Sequence, residues 1–121
     1  MNIADIKAAF LESAAPETSY KPDEWRGGLQ GHCACAAYTL QNLIGGHIVQ
    51  TRVNGVPHYW NVCGDVEWDL TSEQFGGDGL HPIDTIRGKG KVVPPRSTTN
   101  RRFLRFNARV VEKLLRKGLL Q

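Results

Sequence analysis

The chain has 121 residues, 40% of them hydrophobic and 22% charged, with a formal net charge of +3. That length suits one domain, 1–121, with one substantial core. No apolar run approaches the ~20 residues of a membrane span, and so small a net charge is by itself no sign of a nucleic-acid partner.

The start, Met1-Asn2-Ile3-Ala4-Asp5, lacks the basic patch and apolar run of a secretory signal. Three cysteines, Cys33, Cys35 and Cys63, are an odd number. Together these predict a cytoplasmic protein with reduced thiols rather than a disulfide framework. Charge is segregated along the chain. Residues 96–117 hold eight Arg or Lys against the single acid Glu112, whereas residues 65–84 hold six acids and no Arg or Lys.

Ile3, Ile6, Phe10 and Leu11 recur at helical spacing, with Asn2 as N-cap and Pro16 as the stop. Lys21 to Glu24 reads as loop, and Trp25 with Gly27-Gly28 as an anchored turn. A second helix is predicted from Cys33 to Ile44, with Ala36, Ala37, Leu40, Leu43 and Ile44 on one face, ended by Gly45-Gly46.

The period then changes. His47 to Val53 is β-rich, and Asn54-Gly55 is a strong hairpin signal. Pro57 to Cys63 forms a second strand, Gly64-Asp65 a second tight turn, and Val66 to Thr71 a third strand. Residues 76–100, with five Gly and three Pro, read as an irregular connection carrying a short strand at Lys91-Val92-Val93. Arg101 to Lys117 is an amphipathic helix with Phe103, Phe106, Val110, Val111, Leu114 and Leu115 inward, ended by Gly118. The fold class is α+β: a Cys33-bearing helix on an antiparallel sheet of at least three strands, flanked by terminal helices.

Three residues of this layout point to chemistry. A helix N-terminus carries about half a positive charge and unpaired N–H groups, which favour a thiolate and can hold an oxyanion. Cys33 falls there, just after Gly31. His58, early in the second strand, is the candidate base. If Gly64-Asp65 is a two-residue turn, Cys63 pairs with Val66, and Asp69 then falls opposite Trp60. Asp69 thereby shares a sheet face with His58 as its diagonal neighbour, ~7 Å away at the backbone. An aspartate there would fix the imidazole tautomer and leave its other nitrogen for the thiol. A slip of one residue would put the pair on opposite faces.

The tract Gly31-His32-Cys33-Ala34-Cys35-Ala36-Ala37, then Gly45-Gly46, His58-Tyr59-Trp60-Asn61 and Asp69-Leu70-Thr71-Ser72-Glu73-Gln74-Phe75, resembles the YunG-like family. The resemblance covers roughly residues 25–75, and the closing basic helix also fits. Those proteins look like minimal members of the papain-like group. The resemblance therefore implies a papain-like minimal domain and a Cys–His–Asp arrangement on Cys33, His58 and Asp69, and it implies no substrate. Gln30-Gly31-His32-Cys33-Ala34-Cys35 also looks like the Gln-Gly-x-Cys-x-x-Cys tract of papain and the cathepsins, shortened by one residue. On that alignment Cys35 is the nucleophile and Gln30 the oxyanion donor. Cys33 is preferred because its alignment needs no gap.

The expected activity is that of a cysteine hydrolase of peptidase, deamidase or acyltransferase type, acting on an amide, ester or isopeptide in a protein or peptide. No cofactor is expected. A metal is not expected either, because Cys-x-Cys followed by a lone Cys63 is poor zinc spacing. His32, His47 and His81 read as surface or loop residues. The basic last helix has an ordinary core-covering stripe, so a nucleic-acid partner is not expected. The rival from another class is a non-catalytic papain-like module that uses its groove to hold a protein or nucleic-acid partner.

Overall fold

A computed structural model of the chain describes residues 2–94 and 99–120. Its α-helices are α1 (Ile3–Ser13), α2 (Cys33–Ile44) and α3 (Arg101–Arg116), and its strands are β1 (His47–Val53), β2 (Val56–Cys63), β3 (Val66–Trp68) and β4 (Lys91–Val92). The fold is α+β, with one antiparallel sheet in the order β3-β2-β1-β4. Residues 95–98 of the long connection lie outside the described ones.

Each boundary has a local cause. The Asn2 side chain accepts from the Asp5 N–H and caps α1, and Pro16 opens a short 3-10 turn beyond its end. A second such turn, Pro22–Glu24, stands where loop was expected. Gly45 ends α2 at φ +79°, a conformation costly to residues with a Cβ. Asn54 and Gly55 both have positive φ, the type I′ pattern that matches the twist of β1 and β2. The Asn100 side chain accepts from Arg102 and Phe103 N–H groups and caps α3.

The core has two parts. Ile6, Phe10, Leu40, Phe106, Val110 and Leu114 unite the three helices, and α2 contacts β2 on one side and α3 on another. Val49, Trp60 and Ile86 form a second cluster on the sheet. Leu11 and Leu115, expected inward, are 45% and 50% exposed. Both sit at the margin of their helical stripe, where the neighbouring helix no longer covers them.

The Gly64-Asp65 turn sets the expected register, with Cys63 opposite Val66 and Asn61 opposite Trp68. The third strand is shorter than expected, ending at Trp68 rather than Thr71. The Asp69 N–H leaves the ladder to donate to Leu80 O at 2.7 Å, and the chain turns into a 3-10 helix, Ser72–Phe75. Thr71 is therefore not paired with His58. Residues 69–75, not a strand, occupy the space beside the start of β2.

Candidate functional site

Gly31 sets the start of α2. It sits at φ +72°, and a Cβ there would overlap the Ser19 hydroxyl. His32 is the N-cap residue but makes no side-chain cap bond, so its side chain does not compete for the first N–H groups of the helix. Cys33 is the first residue of α2 and is half-buried. It lines a cavity of about 580 Å³ together with His58.

His58 is 1% exposed, as is Asp69. The imidazole Nε2 donates to Asp69 Oδ2 at 2.7 Å. The other carboxylate oxygen, Oδ1, accepts from the Thr71 N–H at 3.2 Å and the Thr71 hydroxyl at 3.1 Å. Both oxygens are thus occupied, which offsets the cost of burying a carboxylate. The imidazole ring stacks on Trp60 at 5.8 Å and meets the edge of Phe75 at 4.8 Å. With Nε2 committed to Asp69, Nδ1 is the nitrogen left for a thiol.

The electrostatics follow from these contacts. Burial of the His58 ring disfavours its charge. The hydrogen bonds to Asp69 and to the Cys33 side chain, and the charges of both, outweigh burial and raise its pKa from 6.5 to about 9. His58 is therefore an imidazolium at neutral pH, with a carboxylate on one side and the Cys33 sulfur on the other.

The remaining sequence candidates lie elsewhere. Cys35 is 2% exposed, its thiol points to Thr18 O at 3.8 Å, and burial pushes its pKa up to about 11. Gln30 is exposed and accepts from the Arg26 N–H at 2.6 Å, closing its own turn. It does not line the cavity that holds Cys33. Cys63 donates to Ile44 O at 3.6 Å, at the far end of α2. Among the described residues no group of three or more His, Cys, Asp or Glu could hold a metal ion, and no helix is long and apolar enough to cross a membrane.

A family model for the YunG protein matches residues 2–115. The chain belongs to the YunG family. Among YunG-family relatives, the uncharacterized protein YunG of Bacillus subtilis (strain 168) is 42% identical over 45 residues, 37% of this chain. The matched stretch spans 39% of that relative's length. No solved structure matches.

Several residues that shape this YunG-family site carried no sequence signal. Asn61 is 2% exposed and donates to Ala37 O at 2.8 Å, joining β2 to α2. Lys7 reaches from α1 to Leu70 O and Glu73, pinning the segment next to Asp69. His32, expected at the surface, is fully buried against Phe106. Its Nδ1 donates to Gln30 O at 2.7 Å and its Nε2 meets the Thr18 hydroxyl at 2.6 Å. His81 lies in a loop, as expected, and is paired with Asp78 at 2.8 Å. A buried histidine and an exposed one look alike when only the adjacent sequence is read. The sole available cue was the glycine at 31, which forces the turn that tucks His32 inward.

Proposed function

We propose that the protein is a cysteine-dependent acyl-transfer enzyme or hydrolase, with Cys33 as nucleophile, His58 as its acid and base, and Asp69 orienting His58. The observation that carries this reading is the buried 2.7 Å bond between His58 and Asp69, with the Cys33 side chain acting on the same ring. A thiol at a helix N-terminus, a histidine on a strand and an acid behind it are the features that support a papain-like reading of the domain. The low accessibility and raised pKa of Cys35 support Cys33 over its neighbour.

In this reading the resting pair is a Cys33 thiolate and a His58 imidazolium. The sulfur attacks a carbonyl carbon, and the carbonyl oxygen takes the electron pair beside the first N–H groups of α2. His58 gives its proton to the leaving nitrogen or oxygen, whose bond to carbon breaks, and a thioester remains. Neutral His58 then takes a proton from water or an incoming amine as that group attacks the thioester. Cys33 departs as the thiolate and His58 is again protonated. Asp69 holds the ring in one orientation throughout. Free thiols fit a reducing compartment such as the cytoplasm, and the substrates are amides, esters or isopeptides of proteins or peptides.

Iodoacetamide labelling resolved by residue across pH 5 to 9 tests this. An ordinary thiol is only about a few per cent ionised at pH 7, so a held thiolate reacts roughly tenfold faster. Cys33 should label first, His58→Ala should slow it to the rate of a free thiol, and Cys35 and Cys63 should label only on unfolding. If no cysteine outpaces a free thiol in the folded protein, the cavity is that of a binding module and the catalytic reading falls.

A further inference from the structure

The cavity beside Cys33 has an asymmetry of charge that the catalytic groups do not explain. Tyr38, Tyr59, Phe75 and Phe103 give it aromatic walls, and among the described residues Arg102 is the one permanently charged side chain lining it. None of the described residues lining it is an Asp or Glu. Arg102 is half-buried, and its guanidinium lies over the Tyr20 ring, 5.4 Å from the centroid. Among the described residues it forms no ion pair with a carboxylate, whereas Arg109 and Arg116 on the same helix both do.

Its position is also unfavourable for the fold. Arg101 and Arg102 occupy the first turn of α3, which holds no acid. That end of a helix is already positive, and cations there destabilise it. The same charge disfavours protonation of buried His32. A half-buried cation at the wrong end of a helix, held over an aromatic ring and facing an acid-free cavity, is complementary to an anion that arrives from outside.

We propose that the part of the substrate seated in this cavity is a small amide or ester group bearing a carboxylate, and that Arg102 is the residue that selects it. The inference rests on the reading of Cys33 as nucleophile and names the substrate class of that same site. About 580 Å³ is the size of small-molecule sites, roughly 300–1,000 Å³. Tyr20 and Val56, 69% and 64% exposed, stand at the rim. The aromatic walls suit an apolar linker between the scissile carbonyl and the anion. A carboxylate beside the Cys33 thiolate would be repelled and one beside the Arg102 guanidinium attracted, so a spacer separates the anion from the reacting carbon.

The test uses iodoacetyl derivatives of ω-amino acids from glycine to aminohexanoate, each compared with its own uncharged methyl amide. The rate at Cys33 is read residue by residue and divided by the rate with a free thiol. The acid should outpace its amide about tenfold at one spacer length. Arg102→Met should abolish that preference, read as the ratio of acid to amide rates within the variant, and Arg102→Lys should restore part of it. Equal acid and amide rates at every spacer, or a preference that survives Arg102→Met, overturn the proposal while leaving Cys33 as nucleophile. If Cys33 reacts no faster than a free thiol with any reagent, the catalytic reading fails. Binding of phenylacetate against phenylacetamide, followed by NMR titration, then decides the anion site separately. Loss of a phenylacetate preference in Arg102→Met upholds it, and no preference in the natural chain ends it.

Discussion

Two histidines flank Cys33, and the chain treats them in opposite ways. His32 and His58 are 0% and 1% exposed, and each has an aromatic neighbour and a hydrogen bond near 2.7 Å. Burial pulls both pKa values down. Around His32 nothing reverses this, because its partners are a carbonyl, a hydroxyl and, further off, the repelling charge of Arg102. Around His58 the Asp69 carboxylate and the Cys33 sulfur do reverse it, and the pKa rises to about 9. Burial therefore does not by itself set the charge of a histidine; the sign of its partner's charge decides. His32 is a neutral strut, with Nδ1–H donating to Gln30 O and Nε2 accepting from Thr18. That strut holds the turn from which α2 and Cys33 start.

The largest effect on this comparison should come from the His32 side. Phe106 is fully buried, 5.4 Å from the His32 ring and 5.2 Å from Phe10. Phe106→Ala opens a cavity between α1, α2 and α3 at a cost of about 3–5 kcal/mol. Denaturant unfolding at pH 7 checks the loss. Water entering that cavity should also bring the His32 pKa back up toward 6.5, as seen in the NMR titration of its ring. Were the ring to keep its depressed value, the account of His32 by burial would be wrong.

Asp69→Asn should move His58 toward the state of His32. The amide can still accept from Nε2, but it supplies no charge, so only the Cys33 side chain is left to oppose burial and the pKa should fall from about 9. In the natural chain the folded state binds the His58 proton more tightly than the unfolded state. That stabilisation is fully present below pH 6.5 and is lost as pH rises from 6.5 through about 9. The variant should lose much of this slope and about 1–3 kcal/mol near pH 6, and Cys33 should label more slowly at pH 7. Melting curves taken between pH 6 and 9 check the slope. A slope of undiminished size in the variant would mean that a group other than His58 is titrating.

Most of this site was legible from local signals. Asn54-Gly55 and Gly64-Asp65 fix two registers, and those registers bring residues 58 and 69 to the same neighbourhood. Gly45 and the cap at Asn100 bound α2 and α3. What could not be read were contacts between segments remote in the chain: Lys7 with Leu70, Asn61 with Ala37, Thr18 with His32. The third strand was read too long because Asp69, Leu70 and Thr71 continue its alternating pattern. Its end is set by the Leu80 carbonyl, which takes the Asp69 N–H, and by the Asp69 side chain, which bonds Thr71 instead of facing a strand. Gln30 was a candidate only through likeness to another tract, and its amide serves the turn at Arg26.

The smallest effect should come from the surface support of the His32 region. Arg109 on α3 donates to Glu17 and to Ser13 O, fastening the 3-10 turn that carries Thr18. The bond to Arg109 lowers the Glu17 pKa, so the pair stabilises above the usual carboxylate range and weakens as pH falls through the lowered value. Both side chains are solvent-accessible, at 37% and 43% exposure, and salt screens such pairs. Arg109→Glu places two like charges together, yet either can swing into water. Its melting temperature should drop by no more than about two degrees at 0.15 M salt, and the difference should shrink at 1 M. The His32 ring resonance should not move, because its partners are Thr18 and Gln30 rather than the ion pair. A shifted ring, or a loss comparable to that of Phe106→Ala, would mean that the surface pair, not the buried strut, positions the start of α2.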